Sequence, residues 1–118
     1  MTYIDGYLIP VQNNKKDDYF AMAEKAKDIF LEHGALRVVE TWGDNVPRGT
    51  VTDFYRAVAA YQDDGVVFSW VEWPDKATRD IGFEKVMNDE RMNMEGDSMP
   101  FDGKRLIFGG FAVMVDGS

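Results

Sequence analysis

The chain has 118 residues, of which 45% are hydrophobic and 29% charged, with eleven glycines and four prolines. That is the composition of one globular domain, and an isolated domain of this length buries roughly 65% of the surface its unfolded chain exposes. The absence of cysteine excludes disulfide staples, thiolate metal sites and cysteine nucleophiles, and a single histidine excludes a polyhistidine metal site within one subunit. Thirteen Lys and Arg against 21 Asp and Glu give a net charge of −8, which argues against nucleic acid as a partner because phosphate recognition needs clustered bases.

In chain order, Tyr3–Val11 is rich in aromatic and branched residues and predicts a first strand, with Pro10 near its end or on an edge. Asn13 to Lys16 form a polar turn, after which Asp17 or Asp18 caps a helix. Tyr19, Met22, Ala23, Ala26, Ile29, Phe30 and His33 recur at three- and four-residue steps, giving that helix one buried stripe and an end at Gly34. Leu36–Trp42 predicts the second strand. A long connection follows from Gly43 to Gly65, with a short strand or helical turn at Phe54–Val58. Val66–Trp73 is the strongest strand signal. Asp75 then caps a second long helix, Lys76–Asn88, with one further turn across Asp89–Glu95. Gly96–Gly103 reads as loop and Lys104–Val115 as a last strand, interrupted by Gly109-Gly110 as a bulge or a close backbone approach.

The order is β-α-β-β-α-β across residues 1–118 as a single domain. It predicts an α+β, ferredoxin-like four-stranded antiparallel sheet with two helices on one face. Alternation makes both faces of the third and fourth strands apolar. Because helices cover only one face, a second copy packed sheet to sheet is expected, giving a homodimer. No stretch approaches the roughly 18 apolar residues of a membrane span. Met1–Asp5 also lacks a basic region leading into an apolar run, so no membrane partner is expected and the cytoplasm is the expected location.

Four side chains are candidates for acid–base chemistry. His33 is the one residue whose ordinary pKa lies near neutrality, although the last turn of a helix is also where imidazole caps carbonyls. Glu40 and Glu72 sit within apolar strands, each sharing a face with a tryptophan, as Asp5 does with Tyr3 and Tyr7. Such carboxylates must find partners, for example Arg37, Lys104 or Arg105, or take up protons. Asp53 is the fourth. Candidate ligand-binding residues are the large rings of Tyr7, Trp42, Phe68, Trp70 and Phe111, together with Arg105, which can pin an anion. Core or interface packing explains the same rings equally well. No phosphate loop, nucleophile elbow, zinc-protease or EF-hand pattern is present, and neither a metal nor a cofactor is expected.

The phrases His33-Gly34-Ala35-Leu36, Glu40-Thr41-Trp42-Gly43-Asp44-Asn45-Val46-Pro47, Val66-Val67-Phe68-Ser69-Trp70 and Met99-Pro100-Phe101-Asp102-Gly103-Lys104-Arg105 with Gly109-Gly110-Phe111 resemble the YbaA-like family of small bacterial proteins, over nearly the whole chain. The resemblance implies the dimeric α+β barrel superfamily, and brings no catalytic residues with it. That superfamily holds cofactor-free monooxygenases, isomerases and haem proteins, so fold alone does not select a function. The leading expectation is a homodimeric barrel that binds a small, partly aromatic metabolite. A cofactor-free monooxygenase or isomerase acting on an aromatic or quinol-like substrate is the alternative, and a haem-binding barrel using His33 a further one.

Overall fold

The computed structural model describes residues 2–92 and 99–117. Its elements are β1 (Tyr3–Gln12), α1 (Lys16–Glu32), β2 (Arg37–Trp42), a short α2 (Phe54–Ala57), β3 (Asp64–Trp73), α3 (Lys76–Met87) and β4 (Ile107–Ala112), with 3₁₀ turns at Asn13–Lys15 and Glu90–Met92. The four strands form one antiparallel sheet in the order β2-β3-β1-β4. This is the ferredoxin-like arrangement the pattern predicts.

Register assigns the faces. Glu40 pairs with Ser69, Ser69 with Tyr7 and Tyr7 with Phe108, so these four side chains form one row across the sheet. That row lies on the face covered by α1 and α3. Ile9, Val11 and Val67 pack there against Tyr19 and Ala23 of α1, and Val71 and Trp73 pack against Ile29, Phe30 and Val86. The opposite parity set holds Ile4, Leu8, Phe68, Trp70, Ile107 and Phe111, and neither α1 nor α3 covers it; only Phe54 of the short α2 packs there, edge-on to Phe68 at 6.2 Å. Phe68 is 46% exposed, Ile107 45% and Phe111 62%.

The sheet is open, and the barrel expectation is corrected on that ground. β2 and β4 are its two edges, and each pairs on one side only. Closure of a sheet on itself takes about eight strands at a steep tilt. The barrel expectation rested on the family resemblance; apolar parity on both faces, which led to the homodimer expectation, shows which side chains avoid water and says nothing about curvature.

Smaller differences have local causes. Pro10 lies beyond the last β1–β4 pair, Leu8 with Ile107, where β1 has only β3 as a neighbour and a missing N–H costs no ladder bond. No bulge forms at Gly109-Gly110, since pairing runs unbroken from Leu8–Ile107 to Tyr3–Ala112. Gly110 is needed because a Cβ there would overlap the Tyr3 ring and hydroxyl. Gly34 ends α1 with φ at 109°, the left-handed cap its sequence position suggests. Asp17 and Asp18 lie inside the first turn of α1 and do not cap it. The expected helical turn reaching Glu95 and the loop from Gly96 fall, over residues 93–98, outside the described residues. No helix among the described residues is long and apolar enough to cross a membrane.

Candidate functional site

The row Glu40–Ser69–Tyr7–Phe108 forms the floor of a cavity of about 370 Å³ between the sheet and its helices. This is toward the small end of the range typical of small-molecule pockets, roughly 300–1,000 Å³. Met22, Ala26 and Phe30 of α1, and Phe83 and Met87 of α3, wall it from above. Met92, Met99, Phe101 and Leu106 add to the described lining. Four methionines give it an adaptable, polarizable lining. Tyr19 stands over the sheet with Phe101 edge-on at 5.9 Å, and Tyr7 stacks on Phe108 at 5.8 Å.

Polar groups in this cavity are few. The Tyr19 hydroxyl donates to Glu40 Oε1 at 2.7 Å. Burial pushes the Glu40 carboxyl above its ordinary pKa, and the Tyr19 bond opposes that shift. Burial likewise raises the Tyr19 and Tyr7 phenols, so both stay neutral, with the Glu40 charge adding to the effect on each. Lys27 reaches the rim, where its ammonium is engaged by Glu24 at 2.6 Å.

The other acid–base candidates lie elsewhere. His33 caps the end of α1, and its Nε2 lies 3.1 Å from Asp89 Oδ2. Arg91 also binds Asp89 and reaches Glu32, so this cluster ties the ends of α1 and α3 together. Bonds from Arg91 and His33 hold the Asp89 carboxyl well below the usual range. Asp53 caps α2, accepting from the Arg56 and Gly49 backbone N–H groups, which lower its pKa. Glu72 is on the uncovered face, where it accepts from the Trp70 indole at 3.0 Å and lies 3.6 Å from Arg37. Glu40 and Glu72 therefore occupy opposite faces and do not share a cavity.

The ring candidates divide in the same way. Tyr7 lines the cavity. Trp42 packs against Phe20 beneath Lys16, outside the cavity lining. Phe68, Trp70 and Phe111 line a groove on the uncovered face. Arg105 is committed to Asp64 at 2.7 Å, Asp102 at 3.0 Å and the face of Tyr61. Among the described residues no three His, Asp or Glu side chains gather to hold a metal ion. The monooxygenase-like expectation is corrected with the barrel. It called for a water-excluding pocket with an acid–base group, and of its four candidates His33, Asp53 and Glu72 lie outside the cavity, committed to other partners.

Tyr19, Phe101 and the methionines were not singled out as site residues by the sequence. Tyr19 and Met22 share the buried stripe of α1, and that is the signal that could have placed them over Glu40.

A family model described as "Protein of unknown function (DUF1428)" matches residues 2–103. "Uncharacterized protein YbaA" of Escherichia coli K12 is 53% identical to this chain over 116 residues, covering 98% of the chain and 99% of the relative. YbaA proteins of Escherichia coli O157:H7 and Shigella flexneri match to the same extent. Likeness of that degree over both full lengths, with the family model spanning every element up to the approach to β4, shows that the chain belongs to the DUF1428 family.

Proposed function

We propose that the chain binds one small, largely apolar organic molecule in the cavity between the sheet and its helices. The observation that carries the reading is the pairing of an apolar, methionine- and ring-lined space with a single carboxylate among its described lining, Glu40, oriented by Tyr19. Apolar walls supply affinity and a few placed polar groups supply orientation, as in small-molecule sites generally. Methyl NMR of the methionines tests it, with 2-phenylethanol as the probe. The Met22, Met87, Met92 and Met99 signals should shift while Met114, on the uncovered-face groove, should not. Ala26→Phe, which fills the cavity from α1, should abolish the shifts. No cavity signal moving up to the solubility limit of the probe would defeat the reading.

A second reading concerns the uncovered face. Its contiguous exposed Phe68, Ile107 and Phe111 favour self-association of two copies through this face. Sedimentation velocity should then show a dimer that Phe111→Asp returns to monomer. A wild-type chain that stays monomeric at every attainable concentration would exclude it.

A further inference from the structure

We infer that the cavity's occupant carries its polar end as a cation, a small organic ammonium group on an apolar body, set against the Glu40 carboxylate. The inference rests on the cavity reading above and adds the chemistry of the ligand's head.

Comparison with the other carboxylates of the sheet supports it. Asp5 holds Arg79 at 2.8 Å, Asp64 holds Arg105 at 2.7 Å and Glu72 lies 3.6 Å from Arg37. Glu40 has only the Tyr19 hydroxyl, and among the described residues no Lys, Arg or His pairs with it. An acid desolvated in this way either takes up a proton or binds a cation. Lys27, the one cation in the described lining, is turned toward Glu24 at 2.6 Å and makes no ion pair with Glu40.

The surroundings suit an ammonium group. Tyr19, bonded to Glu40, and Phe101 edge-on to it bring rings close to the carboxylate, Tyr7 lies two strands along the row, and cation–π attraction strengthens where water is displaced. The net charge of −8 raises the local concentration of cations and repels anionic ligands. The titratable and charged groups facing Glu40 are Tyr7 from β1 and Tyr19 and Lys27 from α1, while β3 contributes only Ser69 and α3 only apolar side chains. Both phenols are held neutral and the lysine charged. From acid to neutral pH, Glu40 is therefore the group whose protonation switches off the attraction.

The test compares 2-phenylethylamine with 2-phenylethanol, which share shape and differ in charge, by calorimetry and by the methionine methyl signals. At about pH 8 the amine is protonated and should bind at least about tenfold more tightly than the alcohol, as a charge-assisted hydrogen bond in a partly buried site is worth. Glu40→Gln keeps the acceptor for Tyr19 and should remove that preference, bringing the affinity for the amine down to that for the alcohol. Amine affinity in the wild type should fall as pH drops through the Glu40 titration, and alcohol affinity should not. If Glu40→Gln does not fold, the wild-type ratio and its pH dependence still decide. An amine bound no better than the alcohol, or a preference that survives Glu40→Gln, overturns the cation inference and leaves the cavity reading standing. Failure of both compounds to move the cavity methyl signals removes both.

Discussion

Asp5 and Glu40 share the helix-covered face of the sheet and meet opposite environments. Asp5 is fully buried and accepts from the Trp73 indole at 2.9 Å and from both Nε and Nη2 of Arg79. Asp5→Ala would strand an indole N–H in the core and leave Arg79 with only its exposed bond to Asp80. Urea unfolding should show a loss of about 3 kcal/mol, the low end for breaking a buried pair because the Arg79 head reaches solvent. A loss below about 1 kcal/mol would show that the pair contributes little beyond its desolvation cost. Glu40 should behave in the opposite sense. Its folded pKa is raised, so between its unfolded value and that raised value the native state binds more protons than the unfolded state, and stability falls as pH rises through the window. Glu40→Gln should remove that slope and be the more stable protein at neutral pH in ligand-free buffer, measured by urea unfolding across the pH series. The need of in-strand carboxylates for partners was legible in the sequence, and Arg37, one of the three bases named for them, lies 3.6 Å from Glu72. Arg79 was not among them, because it reaches Asp5 from a helix 74 positions along the chain, and only the packing of α3 brings the two together.

At the level of elements, periodicity and punctuation placed every long helix and strand, and their ends moved where tertiary pairing decided them. β4 is shorter than its apolar run. Asp102 and Asp64 draw Arg105 into the preceding turn, and beyond Ala112 the partner strand has already ended at Tyr3. Caps show the same dependence on local geometry. Asp75 is extended, with φ at −163°, and its side chain accepts from the Thr78 N–H at 2.7 Å, a true N-cap. Asp75→Ala should therefore cost about 1 kcal/mol in thermal or urea unfolding. Asp17 has no such bond and acts only on the dipole at the start of α1, so Asp17→Ala should cost no more than a few tenths of a kcal/mol. Equal losses at the two sites would mean that the Asp75 hydrogen bond contributes nothing beyond its charge. The cavity was less legible than the elements around it. Alternation placed Glu40 and Trp42 on one face, but the opposition of Glu40 to Ser69 and Tyr7 is a matter of register, which pattern alone leaves free.

The whole molecule is an open sheet with a covered face, an uncovered apolar face and a net charge of −8. The two last features oppose one another in solution. The uncovered face, with Phe111 and Ile107 near one edge and Phe68 and Trp70 near the other strands, favours association by removing apolar surface from water. Charge repulsion between copies opposes that association, and it is screened within about 10 Å at 0.1 M salt. Self-association through this face should therefore strengthen as salt is added. An assembly held by ion pairs would weaken instead, because screening acts on the attraction. Sedimentation velocity across a sodium chloride series separates the two. The dimer fraction of the wild type should rise with salt, and Phe111→Asp should stay monomeric throughout, since each copy would then place a carboxylate within the joined faces. A dimer that dissociates as salt is added, or one that Phe111→Asp leaves intact, would place the contact on the charged surface and return Phe68, Ile107 and Phe111 to open exposure.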